Sequence, residues 1–371
     1  MRSRNSRRTS VRPVRCPPPG SPTRRAIHLI RAEAPMLLDL VPLWAGILAL
    51  AVLMYVLLDG FDLGVGMLFG IHPDEAHRNT MIASVAPIWD FNETWLILGG
   101  GGMLAAFPLA FTVIMPALYF PILIMLLGLL FRGVAFEFRE VEGAHRRLWD
   151  TGFYLGSFIA TFAQGVVLGN FITGFPVEGR QFSGSSWDWV APFPLLTGVG
   201  LIFGYALQGA TWLVMKTEGD LQEWARVQSR RCLFGVLAFI VMISIWTPLA
   251  DARIAARWFS WPNLLIFSPV PVLTALLTWW LWDSLDKRRE LAPFFASIGL
   301  FFLAYTGLII SLWPFVAPPH ITLWDAAAGP KSQGFLLIGT LFLLPITLLY
   351  VVWSYYVFRG KVRGDVGYHH L

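Results

Sequence analysis

Residues 39–69 read DLVPLWAGILALAVLMYVLLDGFDLGVGMLF, and this stretch decides the fold. No charged side chain occurs between Leu40 and Leu58. A bilayer core about 30 Å thick takes about 20 apolar residues as a helix, so the stretch reads as a membrane span. Eight further segments meet the same test: 79–107, 110–131, 151–172, 192–215, 232–250, 262–282, 291–313 and 335–358. They are too long for barrel strands, and an open sheet edge cannot face lipid, so all are expected to be helices. Pro87, Pro116, Pro121 and Pro345 are expected to mark kinks. The expectation is an all-α polytopic membrane protein of about nine transmembrane helices.

Composition agrees. Of 371 residues, 56% are hydrophobic and only 14% charged, where a soluble domain carries about 25% charged residues. Mean hydropathy is +0.60. These values exclude an ordinary soluble enzyme, a disordered chain and a small disulfide scaffold. Cys16 and Cys232 are far apart, with no CxxC and no Cys/His cluster, and imply neither a metal site nor a disulfide framework.

Residues 1–35 differ from the rest. They hold nine arginines, one acid (Glu33) and Pro17-Pro18-Pro19-Gly20, with no apolar run long enough for a secretory signal. Met36 leads straight into the first span. The expectation is a basic disordered extension or a mis-assigned start, with Met36 the true start and residues 36–371 a single transmembrane helical domain.

The loops alternate in charge. If the loop after the first span is cytoplasmic, the inside loops hold fifteen Lys and Arg and the outside loops four: Arg180, Arg253, Arg257 and Lys331. The positive-inside rule then puts the N-terminus outside and the C-terminus in the cytoplasm. Trp187, Trp189, Trp258, Trp261 and Trp324 fall where an interfacial aromatic belt belongs. No loop has room for a soluble domain.

Ionisable residues inside a span are costly and usually functional. Asp59 and Asp62 share a face of the first span, near its inner end. Gly60 and Gly64, with Gly66, flatten the helix for a close neighbour. In the second span, Asp90 and Glu93 share a face. Counted along one continuous helix they lie about 16–21 Å deep, near mid-membrane. Gly99, Gly100, Gly101 and Gly102 follow; each weakens the helix by roughly 1 kcal/mol relative to Ala, which a close helix contact would offset. Two readings stand for the acids. They handle protons or ions, or they form a structural network neutralised by Arg132 or Arg139 and hydrogen-bonded to Asn92 and Thr94. Arg132 and Arg139 themselves read as interfacial anchors. Gln164, Asn170 and Gln208 read as interhelical hydrogen-bonding residues.

All seven histidines lie in the tail, in loops or at the C-terminus. A membrane haem needs axial His, or His with Met, inside a helix, so this chain is not expected to hold a haem by itself. There is no P-loop, no nucleotide-binding glycine fingerprint and no HExxH.

Asp59-Gly-Phe-Asp-Leu-Gly-Val-Gly, Trp89-Asp-Phe-Asn-Glu-Thr-Trp, Gly99-Gly-Gly-Gly with Ala105-Ala-Phe-Pro, and Phe131-Arg-Gly-Val-Ala-Phe-Glu-Phe-Arg resemble subunit II of cytochrome bd-type ubiquinol oxidases. The Asn92-Glu93-Thr94 form looks closest to the cyanide-insensitive branch. The resemblance implies a haem-free subunit of a quinol:oxygen oxidoreductase in the bacterial cytoplasmic (inner) membrane. Its heterodimer partner, subunit I, would carry two haem b and one haem d. Quinol would be the substrate, with a structural quinone and small single-span subunits as further candidates and no nucleic acid. Carried over, Asp59, Asp62 and Asp90 are the proton-path candidates, joined by Glu93 through this branch's pattern. The alternatives are an ion or solute transporter using intramembrane carboxylates and a pure assembly scaffold.

Overall fold

The computed structural model describes residues 39–141 and 145–362. The expectations for residues 1–35 lie outside them. From Leu40 on, the chain is an all-α polytopic membrane protein. Among the described residues, eight helices are long and apolar enough to cross a membrane.

Helix α1 (Leu40–Ile71) is the first of these. At 1.5 Å per residue its 32 residues span about 48 Å. Its two halves differ. The first half buries little, whereas every residue from Asp59 to Phe69 is buried. That half is the core of the bundle.

The single helix expected over 79–107 is two helices. They are α2 (Glu75–Val85) and α3 (Trp89–Ala106), joined by the turn Ala86-Pro87-Ile88. Pro87 has no N–H to continue the ladder of α2. Asp90, Asn92 and Glu93 also lower the hydropathy of α3. Asp74 caps α2 by accepting from the His77 amide at 3.1 Å, which holds its carboxyl below the usual range. The expected span 110–131 is also divided, into α4 (Pro108–Ala117) and α5 (Tyr119–Val141), with Pro116 and Pro121 flanking the break at Leu118.

The remaining long helices are α6 (Arg146–Thr173), α7 (Pro192–Lys216), α8 (Gly219–Ala250), α11 (Pro269–Asp286), α12 (Ala292–Leu312) and α14 (Pro330–Val357). Short helices α9 (Ala252–Phe259), α10 (Asn263–Phe267) and α13 (Leu323–Ala326) lie in the connections. So do two small antiparallel hairpins, β1–β2 (Val177–Glu178, Gln181–Phe182) and β3–β4 (Phe315–Ala317, Ile321–Thr322).

Helix α1 packs against α3, α6 and α7. Glycines permit the approach. A Cβ on Gly64 would stand 1.9 Å from the Tyr205 carbonyl oxygen, and one on Gly209 would stand 2.4 Å from the Gly64 carbonyl carbon. Helices α5 and α6 cross in the same way at Gly128 and Gly156. By contrast α11 and α14 leave most of their apolar surface uncovered by this chain, as membrane-facing helices do.

A polar clamp holds the last described residues. Lys216 donates to the carbonyls of Phe358 and Gly360, and the Val362 amide returns to the Lys216 carbonyl at 2.9 Å. Lys361 donates to Glu290 at 2.8 Å, and Gln222 donates to the same oxygen at 3.2 Å. Both bonds favour the ionised carboxyl of Glu290 and hold it below the usual glutamate range. A lowered carboxyl stabilises the fold above its unfolded value and stops doing so as pH falls through the folded one. Glu290→Gln should therefore reproduce the acid state at neutral pH. Trypsin cleavage after Lys361 should rise by at most about fivefold, because exposed pairs contribute about 1 kcal/mol or less. Unchanged cleavage would show that the bonds to Glu290 do not hold the segment.

Candidate functional site

The site forms where the buried half of α1 meets α3, α5 and α14. Asp59 and Asp62, at i and i+3, turn their side chains into the bundle and are fully buried. Arg132 reaches them from α5. Its guanidinium is fully buried and spans two helices. One nitrogen donates to Asp59 and the other to Glu93 Oε2 at 2.6 Å. The indole of Trp89 covers it, with the ring centroid 5.7 Å from the guanidinium carbon. The close α5–α6 crossing sets this position: a Cβ on Gly156 would meet the Arg132 backbone nitrogen at 2.9 Å.

Asp62 is held differently. Asn92 of α3 donates to its Oδ2 at 2.8 Å, and the Tyr355 hydroxyl of α14 donates to Asn92 Oδ1 at 3.0 Å. Three carboxyls thus compete for one guanidinium. Asp59 and Glu93 take it, and Asp62 is left with a neutral amide. Its second oxygen has no partner among the described residues. A second polar string lies alongside. Gln164 of α6 donates to the Tyr55 hydroxyl at 2.6 Å, and Tyr205 of α7 donates to Gln164 at 3.0 Å. Tyr55 precedes Asp59 by one turn on the same face of α1.

Asp90 is not among these groups. With α3 starting at Trp89, Asp90 occupies the first turn, exposed on the outer face, and its carboxylate pairs with none of the described residues. The break at Pro87 removes the continuous helix from which its depth is counted. Glu93, three residues on, turns inward. Of the glycine run, Gly102 admits Leu48, whose Cδ2 lies 2.5 Å from where a Cβ would stand, and Gly99 makes only ordinary contact with Val52 at 3.7 Å. A Cβ on Gly100 or Gly101 would have nothing within 4 Å among the described residues.

The sequence offers Arg132 both as a counter-charge to the acids and as an interfacial anchor; it is the cation of the site. It follows the apolar run of α5 directly, where an anchor would also stand, so position gave little to separate the two roles. Arg139 pairs with Asp150 at 2.5 Å and donates to Asn79 at 2.8 Å, tying α2, α5 and α6 together near the Ile71 end of α1. Tyr355 had no sequence signal: it meets Asn92 across 263 positions. Gln164 makes the expected interhelical bonds. Asn170 instead donates to Val166 of its own helix at 2.9 Å. Gln208 is buried, with its amide oxygen 2.4 Å from where a Gly60 Cβ would be. Among the described residues, no group of three His, Cys, Asp or Glu side chains could hold a metal ion.

The family model for cytochrome bd terminal oxidase subunit II matches residues 40–358. The chain is 29% identical over 363 residues to cytochrome bd-I ubiquinol oxidase subunit 2 of Escherichia coli strain K12, covering 87% of this chain and 95% of that one. It is 30% identical over 335 residues to cytochrome bd ubiquinol oxidase subunit 2 of Bacillus subtilis, covering 86% and 96%. The solved structure of the bd oxidase from Geobacillus thermodenitrificans has the same fold, with a TM-score of 0.70 over 86% of this chain and 97% of that one at 18% identity.

Proposed function

The chain belongs to the cytochrome bd terminal oxidase subunit II family, and from that premise we propose that it pairs with a haem-bearing subunit I and conducts cytoplasmic protons toward the oxygen-reducing centre. It is a subunit of a quinol oxidase and a multi-pass protein of the bacterial inner membrane. One observation carries the pairing. Asp90, Thr94, Ile97, Gly101 and Leu104 form a single exposed stripe on α3. A stripe that sets a carboxylate in line with exposed Ile97 and Leu104 suits neither lipid nor water along its whole length, so it calls for a protein cover. The two open glycines on that side leave room for another backbone.

The haems are assigned to the partner on the chemistry of the donor set. The described histidines, His72, His77, His145 and His320, lie outside the long membrane helices, where axial ligands would be needed. When bound in the partner, the haems supply electron transfer from quinol to dioxygen. The residues of this chain handle protons. The orientation that fits has the Ile71 end of α1 in the cytoplasm. With Arg132 buried, fourteen Lys and Arg remain in the inside loops against four outside.

Asp90 is the entry group of this path and Asp62 its inner carrier. Of the three carboxyls, Asp62 alone pairs with no cation among the described residues, so it can hold and release a proton without breaking an ion pair. Asp59 and Glu93 are fixed by Arg132 and set the local field. Asp90→Asn and Asp62→Asn should each lower oxidase turnover about a hundredfold, the low end of what a positioned proton-transfer group contributes. Haem content of the purified complex should not change. Full turnover in both variants would refute the proton path. Loss of all haem would leave the scaffold role.

A further inference from the structure

We propose that the pocket between α9, α10 and α12 binds an anionic phospholipid, its phosphodiester on Arg257 and an acyl chain on the wall of α12. The pocket has a volume of about 490 Å³ and is lined by Arg257, Asn263, Phe267, Ile309, Ile310 and Trp313. Its wall is mostly apolar, with Arg257 and Asn263 as the polar residues at its edge.

Three observations converge there. Helix α9 is strongly amphipathic: Ile254 is buried against the bundle while Arg253 and Arg257, one turn apart, lie on another face. A short helix of this kind lies in the plane of a membrane interface. Trp258 donates to Ser311 at 2.9 Å, and Trp313 packs edge-on against Trp324 with centroids 5.8 Å apart, so the pocket lies at the aromatic level where headgroups begin.

Arg257 is also an uncompensated cation. Its Nη1 donates to the carbonyls of Ile310 and Trp313, where α12 ends. These bonds occupy one nitrogen of a guanidinium that offers five donors. No carboxylate pairs with Arg257 among the described residues; the nearby acid, Asp251, is taken by Arg253 at 2.6 Å. The remaining donors match a phosphodiester, which a guanidinium binds through two parallel bonds. Asn263 offers an amide for a glycerol or ester oxygen. Phe267, Ile309 and Ile310 are suited to methylenes and contribute nothing to inorganic phosphate.

The test uses the complex as it purifies from its membrane, delipidated in mild detergent. Retained lipid is then counted by native mass spectrometry after adding phosphatidylglycerol, phosphatidylcholine or inorganic phosphate. Phosphatidylglycerol should bind at least about fivefold more tightly than phosphatidylcholine, the factor that one cation near a membrane surface supplies. Arg257→Gln should remove that preference. Arg257 also caps α12, so Ile309→Trp, which fills the pocket and leaves the cap, should weaken phosphatidylglycerol binding by itself. Arg253→Gln should change neither. Equal binding of the two lipids, or full retention in both pocket variants, would overturn the proposal. Competition by inorganic phosphate alone would also overturn it, by reducing the site to an anion subsite.

Discussion

Arg132→Gln is expected to destabilise the protein by about 3–5 kcal/mol, the cost of breaking a buried ion pair from one side. The substitution leaves Asp59 fully buried and Glu93 mostly buried, with no cation against either. It also removes the bridge from α5 to both α1 and α3. The measurement is the thermal melt of the detergent-purified complex, followed by the monodisperse peak that survives heating. Arg132→Lys should recover only part of the loss. An ammonium is a compact point charge and does not present the fork that reaches two carboxylates on two helices. The triple variant Arg132→Gln, Asp59→Asn, Glu93→Gln should recover most of it, because a neutral hydrogen-bonded site lacks the desolvation cost of unpaired charge. A single variant as stable as the wild type would show that the cluster is solvated from a side this chain leaves open.

The second large effect is steric. In Gly64→Ala the added carbon would stand 1.9 Å from the Tyr205 carbonyl oxygen, where ordinary contact begins near 3.4 Å. The obstacle is backbone, so no rotamer relieves it, and α1 and α7 must move apart by more than an ångström. Forced separation of a packed core costs roughly 1–3 kcal/mol for a single carbon, and Gly64→Leu should prevent accumulation of folded protein. Gly101→Leu is the contrasting case. A Cβ there would have nothing within 4 Å among the described residues, so the chain should fold and any failure should appear at pairing with the partner. Expression level and the partner recovered by pull-down separate the two outcomes. An unchanged melt for Gly64→Ala would refute the crossing.

Much of the site was legible in the residues. Asp59 and Asp62 stand out because a carboxyl in an apolar run is costly and therefore rare. Their three-residue spacing puts them on one face whatever surrounds them. Gly60 and Gly64 were readable for the same reason, since spacing along a helix determines which groups point the same way. The break between α2 and α3 was less readable. Pro87 by itself predicts a kink in a continuous span, and membrane helices often accommodate one. Here the polar residues just after it shorten the apolar run, and two helices result.

Arg132 shows the limit more sharply. An arginine directly after an apolar run serves equally well as a membrane anchor or as a buried counter-charge. The difference depends on whether a neighbouring helix presents carboxylates at that height, which local sequence does not encode. Asn92 and Tyr355 illustrate the same point at greater separation.

The sequence by itself determined that the chain crosses the membrane repeatedly as helices, because hydrocarbon rejects unpaired backbone and charge. It also determined that α1 carries two carboxyls on one face beside small residues, because helical periodicity acts within a single segment. Only the tertiary structure decided which carboxyls share the guanidinium, which one is left to an amide, and that Asp90 faces outward. Those outcomes depend on how far helices distant in sequence slide and rotate against one another, and the glycine crossings of α1 with α7 and of α5 with α6 set that registration.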